Sequence, residues 1–143
     1  MTQSLEDYIE AIYVIAKENR SACVRDIAKT LDVKMPSVVK AIHELKRLGL
    51  VTQEPYSPVL LTKKGEMLAA NVLGRHNLLK KFLEKLGVSS KIADKDACMM
   101  EHILSAETLD KIRAWTAGGI AEKAAAKPRE TKTEETKKEG RTK

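Results

Sequence analysis

Aromatic side chains are scarce in this sequence, whose 143 residues include one Phe, one Trp and three Tyr. A core must therefore be built mainly from Leu, Ile, Val, Ala and Met, although hydrophobic residues still make up 43% of the chain, as in a globular protein. Such side chains suit packed helices better than a β-sandwich. The length allows one ordinary core, or two small modules that share one.

Long apolar runs are absent as well. No stretch approaches the roughly 20 apolar residues that are needed to cross a bilayer. The acidic residues Glu6, Asp7 and Glu10 fall where a secretory signal would place its apolar region. We therefore expect a cytoplasmic protein without a membrane partner.

Cysteine is limited to Cys23 and Cys98, which are too few for the disulfide framework of a small secreted domain. Each of them is therefore a core residue, a metal ligand or a reactive thiol. The choice between these roles depends on the residues that accompany each cysteine.

The excess of positive charge is modest and unevenly placed. The chain has a formal net charge of +6, and residues 121–143 contain eight Lys or Arg and five Glu, a net of +3. Half of the excess thus lies in this C-terminal segment, so net charge alone is weak support for a nucleic-acid partner. Binding to DNA has to be inferred from the arrangement of residues.

Apolar residues at helical spacing, interrupted by turn residues, predict a mainly α-helical chain with one short hairpin. We expect Ser4 to cap the first helix, and Ala117, Gly118 and Gly119 to end the ordered part, since the following segment has too few bulky apolar residues to bury a core. The predicted helices cover residues 4–19, 24–31, 36–49, 62–87, 90–104 and 106–116, and the predicted strands cover residues 50–53 and 59–62.

The order of these elements is that of a winged helix-turn-helix, in which a short helix braces a second one that enters the major groove. Winged helices also act as protein-interaction modules, and surface lysines are often merely solvated. DNA binding is favoured here because the brace, the turn, the proline at the helix start, the glycine at its end and the basic flanks all agree. The candidate DNA-contacting residues are Lys34, Pro36, Ser37, Lys40, His43, Tyr56 and Ser57.

A second constellation points to metal chemistry. Cys98, Glu101 and His102 are spaced i, i+3 and i+4 on a predicted helix, so their side chains project from one face. A thiolate, a carboxylate and an imidazole on one face form half of a coordination shell for a first-row transition metal. The alternatives are a small buried cysteine and a Glu–His pair on the surface.

Three further residues could complete such a shell. Asp7 and Glu10 are spaced i, i+3 on the first helix, and His76 lies midway along the fourth. The chain has three histidines, and His76 and His102 are two of them. Asp7 could instead act only as a capping residue of its helix.

Residues 4–116 resemble the metal-dependent repressors of the manganese transport regulator and diphtheria toxin repressor family. The resemblance is carried by Leu5–Tyr13 (LEDYIEAIY), Arg75–Leu79 (RHNLL) and Asp96–Ser105 (DACMMEHILS), which occur in the family's order and spacing. It implies a homodimer that pairs through its C-terminal helices. It also implies that the metal ligands are Asp7, Glu10, His76, Cys98, Glu101 and His102.

The resemblance also implies a domain organisation. We expect a winged helix-turn-helix DNA-binding domain over residues 1–63 and a helical metal-binding and dimerisation domain over residues 64–117. Residues 118–143 are expected to be a disordered tail of mixed charge. The SH3-like third domain of longer family members is expected to be missing, because this tail cannot fold into one.

The implied ligand set is mixed, which leaves the metal open between Mn(II) and Fe(II). Asp7 and Glu10 follow the manganese-type pattern, whereas Cys98 follows the iron-type pattern, and a thiolate favours Fe(II) and later metals over Mn(II). A second metal site of the iron-type repressors is expected to be degraded, because Lys80 is unfavourable there although Asp94 is usable.

The sequence thus predicts a repressor for which the metal ion acts as co-repressor: a homodimer that, when loaded with metal, binds a palindromic operator in double-stranded DNA and shuts off genes of metal uptake. The first alternative is a winged-helix regulator that ignores metal and uses Cys98 as a redox sensor. The second is a hydrolytic metalloenzyme. We expect no enzyme, because nothing in the sequence supplies a substrate pocket, oxyanion donors or a general base outside the ligand set.

Overall fold

A computed structural model of the chain describes residues 1–118, and the predicted tail lies outside these residues except for Gly118. The described part is mainly helical and contains one two-stranded antiparallel sheet, as the sequence predicts. Its elements are α1 (Gln3–Asn19), α2 (Val24–Leu31), α3 (Met35–Arg47), β1 (Val51–Thr52), β2 (Leu60–Leu61), α4 (Lys63–Lys85), α5 (Ser90–Met100) and α6 (Ala106–Thr116).

The larger core lies between α1, α2, α3 and the hairpin. Ile9 and Ile12 of α1, Ile27 of α2, and Val38 and Leu45 of α3 have no exposed surface. Each follows the three-four spacing of the apolar stripe of its helix, and burying such a side chain stabilises the fold by about 1.5–3 kcal/mol. Helix α1 packs against α2, α3 and α4, so it is an integral part of the DNA-binding fold.

The first helix begins one residue earlier than predicted, and the prediction of Ser4 as its cap is wrong. The Thr2 side chain caps α1 by accepting a hydrogen bond from the Leu5 amide. The Thr2 carbonyl oxygen accepts hydrogen bonds from the amides of Leu5 and Glu6, so the first helical turn starts at Thr2 and Ser4 already lies within the helix. The capping role considered for Asp7 is therefore wrong too.

The hairpin is shorter than predicted, because one of its ends pairs elsewhere. Val51 pairs with Leu61 and Thr52 with Leu60. The Val59 amide donates instead to the carbonyl oxygen of Ala22, at 2.8 Å, and so ties the hairpin to the segment before α2. This hairpin is the only sheet within residues 1–118, which therefore contain no SH3-like domain.

A smaller core lies between α4, α5 and α6. It is centred on Leu79, Ala97 and Leu109. The Phe82 and Trp115 rings meet edge to face beside it, with their centroids 5.3 Å apart. None of the helices within residues 1–118 combines the length and the hydropathy of a membrane span.

Helix α5 ends at Met100, four residues before the predicted end at Leu104. The amides of Ile103 and Leu104 both bond to the Met100 carbonyl oxygen, so the chain turns tightly before Ser105 caps α6. Glu101 is the C-cap of α5, and His102 lies in the turn. Cys98 and Glu101 therefore share the C-terminal end of one helix, as predicted, whereas His102 lies in the turn that follows it.

The start of α4 lies so close to the hairpin that only glycine fits at residue 65. A Cβ atom there would lie 2.0 Å from the carbonyl oxygen of Leu50. Thr62 fixes this approach, because its hydroxyl donates to the Gly49 carbonyl oxygen at 2.8 Å and accepts from the Gly65 amide at 3.1 Å. These contacts fix how the hairpin meets the start of α4.

We expect Gly65→Ala to destabilise the protein by about 1–3 kcal/mol, since the added methyl group must displace backbone rather than a flexible side chain. Denaturant unfolding measures the change. Gly74→Ala in the same helix is the control, because a Cβ there meets no atom within 4 Å. Equal stability of the two variants would contradict the close approach.

Candidate metal centre and nucleic-acid interface

The structure brings the sequence-predicted metal ligands to one place, where α1 approaches α4 and the C-terminal end of α5. Two groups of three residues offer donor atoms that lie within 4.8 Å of one another, and they share a carboxylate. The sixth residue adjoins them through its Nε2 atom. The two groups are Asp7, Cys98 and Glu101, and Glu10, His76 and Glu101, and the sixth residue is His102.

Glu101 is the residue that both groups share, and its side chain is fully buried. Its Oε2 lies 3.0 Å from His76 Nδ1. Its Oε1 lies 3.2 Å from His102 Nε2, a close approach without hydrogen-bond geometry, so this buried oxygen has no hydrogen-bond donor. A buried carboxylate oxygen without a donor is unfavourable, and a cation among these donors would satisfy it.

The carboxylates of the cluster disfavour one another's charge. Burial, and to a lesser extent the charge of Glu101, raises the pKa of Glu10 to about 7. Burial also raises the pKa of Asp7, although His102 opposes this. Such a group is electrostatically strained while it is ionised, and a divalent cation would relieve the strain.

His76 and Cys98 hold protons that a metal ion has to displace. The hydrogen bond to Glu101 raises the pKa of His76 to about 9, against the effect of burial. Partial burial of the sulfur atom, followed by the charge of Glu101, raises the pKa of the Cys98 thiol to about 11. Imidazole and thiol bind metals in their deprotonated forms, so the donors fit a divalent cation that competes with protons.

The environment of Cys98 also decides between the roles left open for it. Its side chain is exposed, so the alternative of a small buried core residue is wrong. The alternative of a Glu–His pair on the surface is wrong as well, because the side chains of Glu101 and His102 are 0% and 3% exposed. Cys23 is exposed too, and its thiol donates to Asp26 at the start of α2.

Metal binding at neutral pH should release about two to three protons, one each from His76 and Cys98 and a fraction from Glu10, whose pKa values lie at or above pH 7. Metal affinity should therefore rise with pH. Calorimetry in buffers of different ionisation enthalpy counts the protons.

The matched variant for this experiment is Cys98→Ser, which should release about one proton fewer, since a serine hydroxyl keeps its proton. An unchanged proton count in Cys98→Ser would contradict the thiol as a ligand.

Lys80 and Asp94, which the family resemblance places at a second metal site, contact each other. Asp94 Oδ1 lies 3.0 Å from His76 Nε2 and 3.4 Å from Lys80 Nζ. The ammonium group and the histidine together neutralise Asp94, whose pKa is lowered chiefly by the hydrogen bond from His76. This arrangement supports the expectation that the second site is degraded.

Two residues beside the cluster have no counterpart in the sequence-based ligand set. Glu6 Oε2 accepts a hydrogen bond from His102 Nδ1 at 2.7 Å, and it lies 3.2 Å from Arg75 Nη2. Sequence spacing does not reveal these contacts, because they join residues 96 and 69 positions apart. A charged residue next to each of the ligand candidates Asp7 and His76 was the available signal.

The candidate DNA-contacting residues are all exposed. On α3, Ala41, Ile42 and Leu45 are buried against the core, which leaves the opposite face to solvent. This face also carries an apolar side chain, Val39, that is 56% exposed. The exposed candidates are Lys34, the N-cap of α3, Pro36, Ser37, Lys40 and His43 on α3, and Tyr56 and Ser57 at the tip of the hairpin.

The fold and the site together define a class of protein: a winged-helix DNA-binding unit joined to a helical unit that carries a candidate metal centre. Comparison with known families makes the assignment specific. The N-terminal DNA-binding domain of the iron dependent repressors matches residues 1–59, and their metal binding and dimerisation domain matches residues 62–117. The chain belongs to this family, as the sequence motifs predicted.

Individual relatives agree with this assignment. An uncharacterised helix-turn-helix transcriptional regulator of Methanocaldococcus jannaschii is 43% identical over 115 residues, which are 79% of this chain and 92% of that protein. The transcriptional regulator MntR of Escherichia coli is 41% identical over 112 residues, which are 78% of this chain and 72% of that protein.

Solved structures show the same fold. The manganese regulator SloR superposes with a TM-score of 0.71 at 27% identity, covering 83% of this chain and 55% of that one. A manganese-dependent transcriptional repressor in complex with manganese gives a TM-score of 0.72 at 27% identity, covering 79% and 52%. IdeR of T. acidophilum gives 0.71 at 25% identity, covering 79% and 53%. The chain spans about half the length of these three proteins.

Proposed function

We propose that this protein is a homodimeric, metal-dependent transcriptional repressor that acts in the cytoplasm, with Mn(II) or Fe(II) as its co-repressor. The observation that carries the proposal is the Glu101 carboxylate, which is buried among donors from three parts of the fold and has one oxygen without a hydrogen-bond donor. The proposed ligands are Asp7, Glu10, His76, Cys98, Glu101 and His102.

The placement of these ligands suggests how metal controls DNA binding. Asp7 and Glu10 lie on α1, which shares its apolar face with the helix-turn-helix core. Glu101 and His102 lie beyond α5, on the side proposed for dimerisation. Asp7 and Glu10 together with Glu101 and His102 would hold the cation, whose charge would neutralise the carboxylates and so favour the contact of α1 with the dimerisation unit. This attachment fixes the separation of the two α3 helices in a dimer, which a palindromic operator requires.

The smaller helical unit leaves apolar side chains exposed, as expected for a surface that pairs with a second copy. Ile103 is 76% exposed and Met99 is 53% exposed, both close to the proposed centre in sequence. Leu86 and Ile92 are also about half exposed. Exposed apolar groups of this size on three consecutive segments support a homodimer through the C-terminal helices.

Metal preference follows from the donor types. The carboxylates suit Mn(II), and the thiolate of Cys98 raises affinity for Fe(II). Glu101 belongs to both donor groups, so the two groups overlap within one centre. The number of ions that each chain binds therefore has to be measured together with metal affinity.

The two alternative functions receive less support. A redox-sensing cysteine needs a lowered thiol pKa, whereas that of Cys98 is raised to about 11. A cavity of about 350 Å³ adjoins the donors, but the rest of its lining is apolar or hydroxyl-bearing, including Tyr8, Val14 and Leu31. It offers no separate general base, so we propose regulation rather than catalysis.

The decisive experiment selects DNA from a random duplex pool with the protein in Mn(II). It then measures affinity for the selected sequence in Mn(II), in anaerobic Fe(II), in Zn(II) and in chelator at one salt concentration. We expect an inverted-repeat sequence and an affinity loss in chelator of about 5- to 150-fold, the usual range of allosteric coupling.

Glu101→Gln removes the shared charge with little change of shape, and it should abolish the difference between Mn(II) and chelator. Glu84→Gln, which changes an exposed residue of α4, is the control and should behave like the wild type. Metal dependence that survives in Glu101→Gln would overturn the assignment of Glu101 as the shared ligand, and a wild-type affinity that chelator leaves unchanged would overturn the proposed function.

A further inference from the structure

Glu6 adjoins the proposed metal centre on the far side of the His102 ring from Glu101. Its Oε2 accepts a hydrogen bond from His102 Nδ1 at 2.7 Å. Among residues 1–118, Glu6 belongs to neither of the donor groups that could hold an ion. Its contact with the centre is therefore made through His102.

The two ring nitrogens of His102 face different partners. Nε2 lies 2.9 Å from Asp7 Oδ1 and 3.2 Å from Glu101 Oε1, so it points into the donor cluster. Nδ1 points to Glu6. The His102 side chain is only 3% exposed, so solvent hardly competes for either nitrogen. A carboxylate that holds the second nitrogen of a metal-ligating histidine fixes both the ring orientation and the tautomer.

Glu6 is itself held in place by Arg75. Arg75 Nη2 donates to the same Oε2 atom at 3.2 Å, and the two side chains are 32% and 19% exposed. Arg75 lies on α4, Glu6 on α1 and His102 in the turn after α5. The three residues therefore link the same three parts of the fold as the centre does, through contacts that need no ion.

We propose that Glu6 is a positioning residue: anchored by Arg75, it holds His102 with Nε2 facing the metal centre before a cation arrives. This inference rests on the proposed function, since it assigns His102 as a ligand. Nε2 of a ring held in this way could bind the cation in place of its contact with Asp7 without any rotation of the ring. Loss of Glu6 frees the His102 ring to turn. Orienting the ring then costs free energy when metal binds, so the affinity for metal falls.

The test compares Glu6→Ala and Glu6→Gln with the wild type, using Zn(II) alone as a diamagnetic probe. Outer carboxylates of this kind change metal affinity by about 10- to 100-fold, so Glu6→Ala should bind Zn(II) more weakly by that factor. Glu6→Gln keeps an oxygen that accepts from Nδ1, and it should recover part of the loss. Glu18→Ala, at an exposed position of the same helix, is the matched control.

Proton NMR of the Zn(II)-loaded protein supplies a readout that a purely structural role would not affect. The Nδ1 proton of His102, assigned by its absence in His102→Gln, should exchange slowly in the wild type, in Glu18→Ala and in Glu6→Gln. It should be lost to solvent exchange in Glu6→Ala. Should Glu6→Ala fail to fold, Glu6→Gln decides, because a measurable affinity loss together with a shifted Nδ1 proton supports the role.

Two results overturn the inference. In the first, Glu6→Ala or, where that variant does not fold, Glu6→Gln binds Zn(II) as tightly as the wild type does. In the second, the slowly exchanging proton of His102 persists in Glu6→Ala. Both are distinguishable from failure of the proposed function, in which the wild type itself binds no Zn(II), Mn(II) or Fe(II) and the role of Glu6 falls with it.

Discussion

The buried charge of Glu101 is the constraint on which the rest of the site depends. Its carboxylate lies at the point where α1, α4 and the end of α5 meet, and one of its oxygens has no hydrogen-bond donor. Asp7 and Glu10 approach the same point, and the pKa of each is raised by burial and by the charge of Glu101. Three carboxylates are unfavourable at one partly buried place, and a divalent cation would make their proximity favourable.

This constraint connects the two halves of the chain. Helix α1 contributes Ile9 and Ile12 to the core of the DNA-binding unit and Asp7 and Glu10 to the centre. Any force that pulls these carboxylates together therefore acts directly on the orientation of the helix-turn-helix. At Gly65, the start of α4 packs directly against the backbone of Leu50, so α4 and the DNA-binding unit meet through backbone atoms rather than through flexible side chains.

Helical spacing and turn residues were enough to predict the order of the elements, and the motifs around Asp7, His76 and Cys98 predicted the convergence of the donors. The errors arose where tertiary contacts decide. Helix α5 ends at Met100, because the chain turns tightly there to start α6, and the partner of His102 is Glu6, 96 residues away. Neither the turn nor that pairing has a local signature, and the exposure of Cys98 depends equally on packing.

The most direct test of the account is the affinity for Mn(II) measured with and without the selected operator DNA. Coupling between two sites is reciprocal, so DNA should tighten Mn(II) binding by the same factor by which Mn(II) tightens DNA binding. Glu101→Gln should abolish both effects. Equal Mn(II) affinity with and without operator in the wild-type protein would contradict the claim that the metal centre controls the DNA-binding unit.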